Sequence, residues 1–458
     1  MSALYERSAS ELARLVRDGA VTCRQVVDAH LGRIEALNGR LGAVAIPLAD
    51  AARAAAEAAD RSEPRGPLHG VPFTVKVTID CLGSPTTLGV PALRDALPYA
   101  DAPAVERLKS AGALLIGRTN SSELAMRLCT VNPLHGRTLN PFDRSLTIGG
   151  SGGGDACAVA TGMAPLGLGI DMGGSLRIPA HCAGVAALKP TTGRVPHASS
   201  LEPRDHGMSA QAMLAVGAIA RSVADLRLVL GLIAGRSVLD PRSVDVPLEG
   251  PPRERRAALV TRWPGASPAL VRPLQRAAEL LRAAGWAVEE AAPPEPERVG
   301  DVFLRVLATD LEVQLPQLER FVSDSLAAHL TRLTRAARLH EVSNCGLHAE
   351  RSRLARAWSL FFVDHPVLLV PTWARPVWPI DADLNPSSGI ELLRETTRFI
   401  LPGNALGLPC LTLPVGMEGG SPASVSIYAD LWREDLCLAA AEVIEAGVGC
   451  SAPVTPAF

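Results

Sequence analysis

The stretch "PLGLGIDMGGSLRIP", Pro165 to Pro179, decides how this chain is read. Its first half is a short apolar run ending in glycines, and such runs bounded by turn residues read as buried strands. Its second half sets Gly173 and Gly174 directly before Ser175. Paired glycines are costly to order, so they mark a place where the backbone comes very close to something else. The same grammar recurs on either side. "GVPFTVKVTID", from Gly70, is β-branched and bounded by glycine and proline, which reads as a strand. "SAGALLIGRTN", from Ser110, reads as a helix end, a buried strand and a turn. Short apolar runs alternating with helices predict an α/β fold: a large mixed, mostly parallel twisted sheet covered by helices on both faces.

The flanks add helices. Ser8 with Glu11, and Thr22 with Gln25, have capping-box spacing. After Thr22, the residues Val26, Val27, His30, Leu31, Ile34 and Leu37 form a helical apolar stripe, on which His30 reads as a packed side chain. An alanine-rich helix follows near Ala51 to Asp60. Beyond the exposed linker expected at Pro251-Pro252 and "RERR", the strand "AALVTRW" leads to a helix that starts at Ser267-Pro268 and runs to about Gly285. "WAVEEA" is the next strand, residues 300–363 are helical in pattern, and "HPVLLVPT", "PCLTLPVG" and "ASVSIYA" are late strands. A helix from Glu434 to Ala446 closes the chain.

Bulk properties exclude several classes. The 458 residues are 47% hydrophobic and 20% charged, with a formal net charge of -2, so no positive field exists to hold nucleic acid. Nine scattered cysteines without a CxxC pair argue for reduced thiols and against a disulfide framework or zinc ribbon. The start "MSALYERSASELARL" has no apolar signal core, and no apolar run approaches the roughly 20 residues that span a bilayer. The expectation is a cytoplasmic protein with no membrane or nucleic-acid partner. Ten histidines include no HExxH and no tight cluster with Cys or Asp, so no metal and no cofactor are expected.

Three readings compete for the chemistry. The loop "GGSGGG", Gly149 to Gly154, leads into a helix as phosphate-cradling loops do, but no GK[ST] follows and Asp155 would repel an anion. The same loop fits G-x-S-x-G through Gly149, Ser151 and Gly153, but that pattern needs a late histidine base and the last one, His365, sits at a strand entry. The third reading starts from Lys76, flanked by Val75 and Val77 in an apolar strand. Burial disfavours an ammonium, and a lysine with a lowered pKa can take a proton from a hydroxyl. A lysine that snorkels to water is the plain alternative.

Read together, "PLHGVPFTVK", "NPFDRSLTIGGSGGG" and "PLGLGIDMGGSLRIPAHCAGVAALKPTTGRV" resemble the amidase signature family. Asn132, Gly136, Asn140-Pro141, "SAGALLIGRTNSSELA", "GAIARSVADLRLVLGLIAG" and "NALGLPCLTLPVG" extend the resemblance. It implies one amidase domain over residues 1–458, a catalytic core at 65–240, and a helical insert at 300–363 as a candidate substrate cover. It also implies a Ser–cis-Ser–Lys triad: Ser175 as nucleophile, Ser151 as bridging serine and Lys76 as base. Backbone N–H groups of Met172, Gly173, Gly174 and Ser175 would form the oxyanion hole, and Ala125, Gly150 and Ser151 would contact substrate. The implied activity is hydrolysis of small amides, aryl amides, carbamates or some esters by a monomer or homodimer without cofactor. The rivals are a glutaminase subunit of a tRNA-dependent amidotransferase and a catalytically silent binding protein. Two departures stand out: the family's GGSSGG has Gly152 in place of its second serine, and Val77 replaces the Asp that usually follows the lysine. Arg177 is expected to be structural. Trp373 and Trp378 are candidates for a leaving-group wall, and Arg204, Asp205 and His206 for substrate contact from the 196–213 loop.

Overall fold

The computed structural model describes residues 3–202, 204–205, 207–337 and 344–458. The first helices begin where their caps dictate. Ser8 Oγ accepts the Glu11 N–H at 3.2 Å while the Glu11 carboxylate accepts the Ser8 N–H at 2.8 Å, opening the helix Ala9–Arg17. Thr22 and Gln25 repeat the arrangement ahead of Cys23–Leu41, which ends at Gly42 in the left-handed conformation. His30 is buried on that helix and its Nδ1 meets the Val26 carbonyl at 2.8 Å, so it is a packed histidine.

Eleven strands form one sheet. From edge to edge they are Val44–Pro47, Leu114–Thr119, Pro72–Lys76, Leu166–Asp171, Ala215–Ala220, Ala186–Lys189, Cys410–Glu418, Ser421–Tyr428, Val367–Pro371, Arg256–Leu259 and Ala287–Glu290. The mixed sheet has parallel pairing in two blocks. One joins Leu114–Thr119, Pro72–Lys76 and Leu166–Asp171; the other joins Val367–Pro371, Arg256–Leu259 and Ala287–Glu290. Between them the pairing is antiparallel, because close returns such as Gly419-Gly420 between Cys410–Glu418 and Ser421–Tyr428 leave no room for a crossover.

Alternation along the strands divides the core in two. Ala186, Leu188, Val216, Ala218 and Ala220 join one apolar cluster, whereas Ala187 and Ile219 join another on the opposite face. Central strands such as Pro72–Lys76 and Leu166–Asp171 are therefore buried along their whole length. Residues 251–255 are exposed as expected of a connector, yet both flanking parts of the chain add strands to the same sheet. The helices Pro296–Leu318, Asp324–Ala337 and Asn344–Asp364 occupy most of the segment read as helical, and Pro296–Leu318 packs on the short helix Leu401–Ala405. Among the described residues, no helix is long and apolar enough to cross a membrane.

Candidate active site

Three elements bring the candidate residues together. Lys76 is the last residue of the strand Pro72–Lys76, and the neighbouring strand Leu166–Asp171 runs parallel to it and delivers the chain to Met172–Ser175. Ser151 lies in the glycine loop that precedes the helix Gly153–Ala160. Lys76 and Ser151 are fully buried, and Lys76 Nζ donates to Ser151 Oγ at 2.6 Å. The Gly150–Ser151 peptide is cis. The Gly152 N–H donates to the Ser175 carbonyl at 3.1 Å, which ties the glycine loop to the serine turn.

The glycine loop is crowded by protein rather than shaped for phosphate. A Cβ on Gly150 would fall 2.4 Å from the Arg127 carbonyl oxygen, and one on Gly152 would fall 2.7 Å from that of Ser175. Thr130 Oγ1 accepts the Gly153 N–H at 2.9 Å and donates to the Gly149 carbonyl at 2.8 Å. At Gly154 the three atoms nearest to a Cβ would all be backbone: Asn120 N at 2.4 Å, Asn120 O at 2.5 Å and Ala43 O at 2.6 Å. Backbone cannot swing aside, so Gly154→Ala is expected to cost about 1–3 kcal/mol or more. A thermal melt checks this; an unchanged midpoint would mean the loop has slack the contacts deny.

The serine turn is held from behind by a buried ion pair. Arg177 is fully buried and reaches Asp171 through Nε at 2.9 Å and Nη2 at 3.0 Å. It also donates to Asn404, Tyr428 and the Ile400 carbonyl. Asp171 accepts the Gly174 N–H at 2.8 Å and the Leu176 N–H at 3.2 Å. Burial alone would raise the Asp171 carboxyl, but Arg177, then Lys189 and Asn404, overcome it and hold the group well below the usual carboxylate range. Arg177 is thus structural, as its sequence context suggests. The Gly174 N–H is committed to Asp171, which corrects its assignment to the oxyanion hole; Met172, Gly173 and Ser175 remain as candidate donors. Gly174 itself is required, because its φ is +104° and a Cβ would lie 2.6 Å from both Ile178 and Ile400.

Asp155, next to a glycine loop at a helix start, does not face an incoming anion. It is fully buried near Lys76, and Thr119 Oγ1 donates to its Oδ1. Burial raises the Asp155 pKa and lowers that of Lys76, while their mutual attraction opposes both shifts. Burial dominates for Lys76, so its neutral amine is more accessible than that of an ordinary lysine.

Ser175, Met172, Gly173 and Ala125 line a narrow apolar pocket. Ala125 sits there with φ at 58°, a conformation non-glycine residues adopt where function or packing demands it. Phe303, Leu304 and Leu307 close the pocket from one helix, and His329 and Leu333 from the next, so the 300–363 helices do border the serine. A periodic leucine pattern signals such helices but not what they cover. Trp373 and Trp378 do not line this pocket. They are buried edge to face at 4.9 Å in a separate cluster, with His181 stacked on Trp373. Arg204 and Asp205 line a different cavity with Tyr99 and Asp101, and His206 lies outside the described residues.

Asp381, Asp383 and Cys129 form the one grouping with metal-ligand spacing among the described residues. Arg127 bonds both carboxylates at 2.7 and 2.8 Å, and burial pushes the Cys129 thiol up to about 12, so the donors are neutralised or protonated.

A family model described as Amidase matches residues 25–438. The chain belongs to the amidase signature family. It is 38% identical to an indoleacetamide hydrolase of Bradyrhizobium diazoefficiens, over 97% of this chain and 87% of that protein. It is 33% identical to a glutamyl-tRNA(Gln) amidotransferase component from Thermus thermophilus, over 93% of this chain and 94% of the relative. A bacterial aryl acylamidase of known structure superposes with a TM-score of 0.83 at 27% identity, covering 97% of both chains. This amidase is accordingly a hydrolase acting on amides.

Proposed function

We propose that this amidase cleaves small neutral amides carrying an aromatic group, through an acyl-enzyme on Ser175. One observation carries the reading: a fully buried Lys76 bonded to Ser151 at 2.6 Å, beside a serine that opens into an apolar pocket. Neutral Lys76 takes the Ser151 proton as Ser151 takes that of Ser175, and Ser175 Oγ attacks the carbonyl carbon. Backbone N–H groups of Met172, Gly173 and Ser175 receive the developing oxyanion. The Lys76 ammonium then returns the proton through Ser151 to the leaving nitrogen as the C–N bond breaks, and water releases the acid by the same relay. Ala125 borders the acyl group, whereas Gly150 and Ser151, expected at the substrate, are not among the residues that line the pocket. A urethane carbonyl offers the same attack, so aryl carbamates belong in the same substrate panel.

The glutaminase reading has support from the amidotransferase relatives. Glutamine, however, brings a charged amine and carboxylate, and Arg127, the cation of this pocket, is bound to Asp381 and Asp383. The bonded Lys76–Ser151 pair likewise speaks against a silent binding protein. Release of ammonia from an arylacetamide by the purified protein tests the reading; release from glutamine only with a partner and tRNA would replace it.

The pH profile tests the base. Protonated Lys76 cannot accept, so activity is expected to fall with acid, along a limb centred below the roughly 10.4 of an ordinary lysine. Lys76→Arg, always protonated, is expected to lose activity across the range. A wild-type profile flat between roughly pH 5 and pH 9 would contradict Lys76 as base.

A further inference from the structure

This inference rests on the reading of Ser175 as the attacking residue and of its pocket as the seat of an aromatic acyl group. The pocket draws its lining from segments far apart in the chain. Ala125 and Met126 come from one, and His329 and Leu333 come from the helix Asp324–Ala337. One side chain joins the two. Glu123 is 3% exposed, and its carboxyl group accepts the Ser323 N–H at 2.7 Å and the Ser323 hydroxyl at 2.5 Å. Ser323 caps the helix: its Oγ accepts the Leu326 N–H at 3.4 Å, and its carbonyl accepts the Ala327 N–H at 3.0 Å. Glu123 thus stands at the positive end of that helix's dipole. Among the described residues, its carboxyl group has no other hydrogen-bond or ion-pair partner.

The segment that Glu123 anchors is strained. Leu124 and Ala125 follow it with φ of 51° and 58°. Non-glycine residues keep that conformation only where their surroundings over-determine it. The Leu124 N–H donates to the Leu88 carbonyl at 2.9 Å, and the Ala125 N–H donates to the Ser122 carbonyl at 2.9 Å. These bonds hold the turn itself, whereas the Glu123 bonds fix its place relative to the helix.

We infer that Glu123 is a positioning residue. By binding the cap of the helix, it sets the separation of the Ala125 wall from the wall made by His329 and Leu333, and so the width of the acyl pocket. An aromatic acyl group, which fills the space between the walls, depends on that width. A methyl group does not.

The test measures kcat and KM for phenylacetamide and acetamide with the full chain, Glu123→Ala, Glu123→Gln and Ser323→Ala. Beside them it measures the rates at which phenylmethanesulfonyl fluoride and methanesulfonyl fluoride label Ser175. Glu123→Ala and Ser323→Ala are expected to lose about tenfold in kcat/KM on phenylacetamide, mostly through KM, and less than about threefold on acetamide. The benzyl-to-methyl ratio of labelling rates should fall by a similar factor. Glu123→Gln should recover most of the loss, since its oxygen can accept the Ser323 N–H and its amide nitrogen can donate to Ser323 Oγ. A purely structural role predicts equal losses on both amides. Equal losses, an unchanged phenylacetamide KM in Glu123→Ala, or a Glu123→Gln as impaired as Glu123→Ala overturns the inference. If Glu123→Ala does not fold, Ser323→Ala, which trims a half-buried hydroxyl, decides. If wild type does not turn over phenylacetamide, the aromatic reading fails alone and the labelling ratio decides. If neither reagent labels Ser175 of wild type, the reading of Ser175 fails and this inference with it.

Discussion

Ser175→Ala is expected to abolish turnover and leave the fold intact. The serine is 7% exposed and lines an apolar pocket, so losing one hydroxyl opens no new cavity in the core. Its carbonyl, not its side chain, anchors Gly152, and the Asp171 carboxylate anchors the turn through Gly174 and Leu176. The substitution therefore removes the attacking oxygen and keeps the scaffold. Loss of a serine nucleophile in comparable enzymes costs about 10⁶-fold in kcat, the residue of catalysis coming from oxyanion donors and binding. Steady-state assay beside a thermal melt reads both halves. Retention of more than about one part in a thousand of the activity would contradict the role.

Arg177→Met is expected to be the most destabilising single change at the site. It leaves Asp171 ionised and buried without its ion-pair partner, and it removes one donor each from Asn404 Oδ1, the Tyr428 hydroxyl and the Ile400 carbonyl. Breaking a buried pair in this way costs about 3–5 kcal/mol. Asp171 also positions the N–H groups on either side of Ser175, so activity should fall even where the protein remains folded. The double variant Asp171→Asn with Arg177→Met should cost less than the sum of the two singles, measured in denaturant. Additive losses would mean the two residues act independently.

Much of this architecture was legible in the chain. The capping boxes at Ser8 and Thr22 lie in local sequence, and the structure repeats them residue by residue. Strands rich in β-branched residues, such as Pro72–Lys76, announced themselves as well. Val44–Pro47, Ala186–Lys189 and Ala215–Ala220 did not. "AALK" and "AVGAIA" are mostly small residues, whose strand state is imposed by neighbours on both sides and not by propensity. Pairing direction was also hidden, because a strand buried on both faces reads the same whichever way its neighbour runs. At the site, the turn glycines and the lysine in an apolar strand could be read directly. The commitment of the Gly174 N–H to Asp171, the burial of Asp155 and the arrival of His329 could not, since each depends on contacts between distant segments.

The central claim is that Ser175 becomes acylated through Ser151 and Lys76. Intact mass with peptide mapping, after incubation with a fluorophosphonate, tests it most directly. The expected result is one adduct per chain, on Ser175, that is absent in Ser175→Ala and slowed strongly in Lys76→Ala. An adduct on any other residue, or none on folded wild-type protein, would contradict the account.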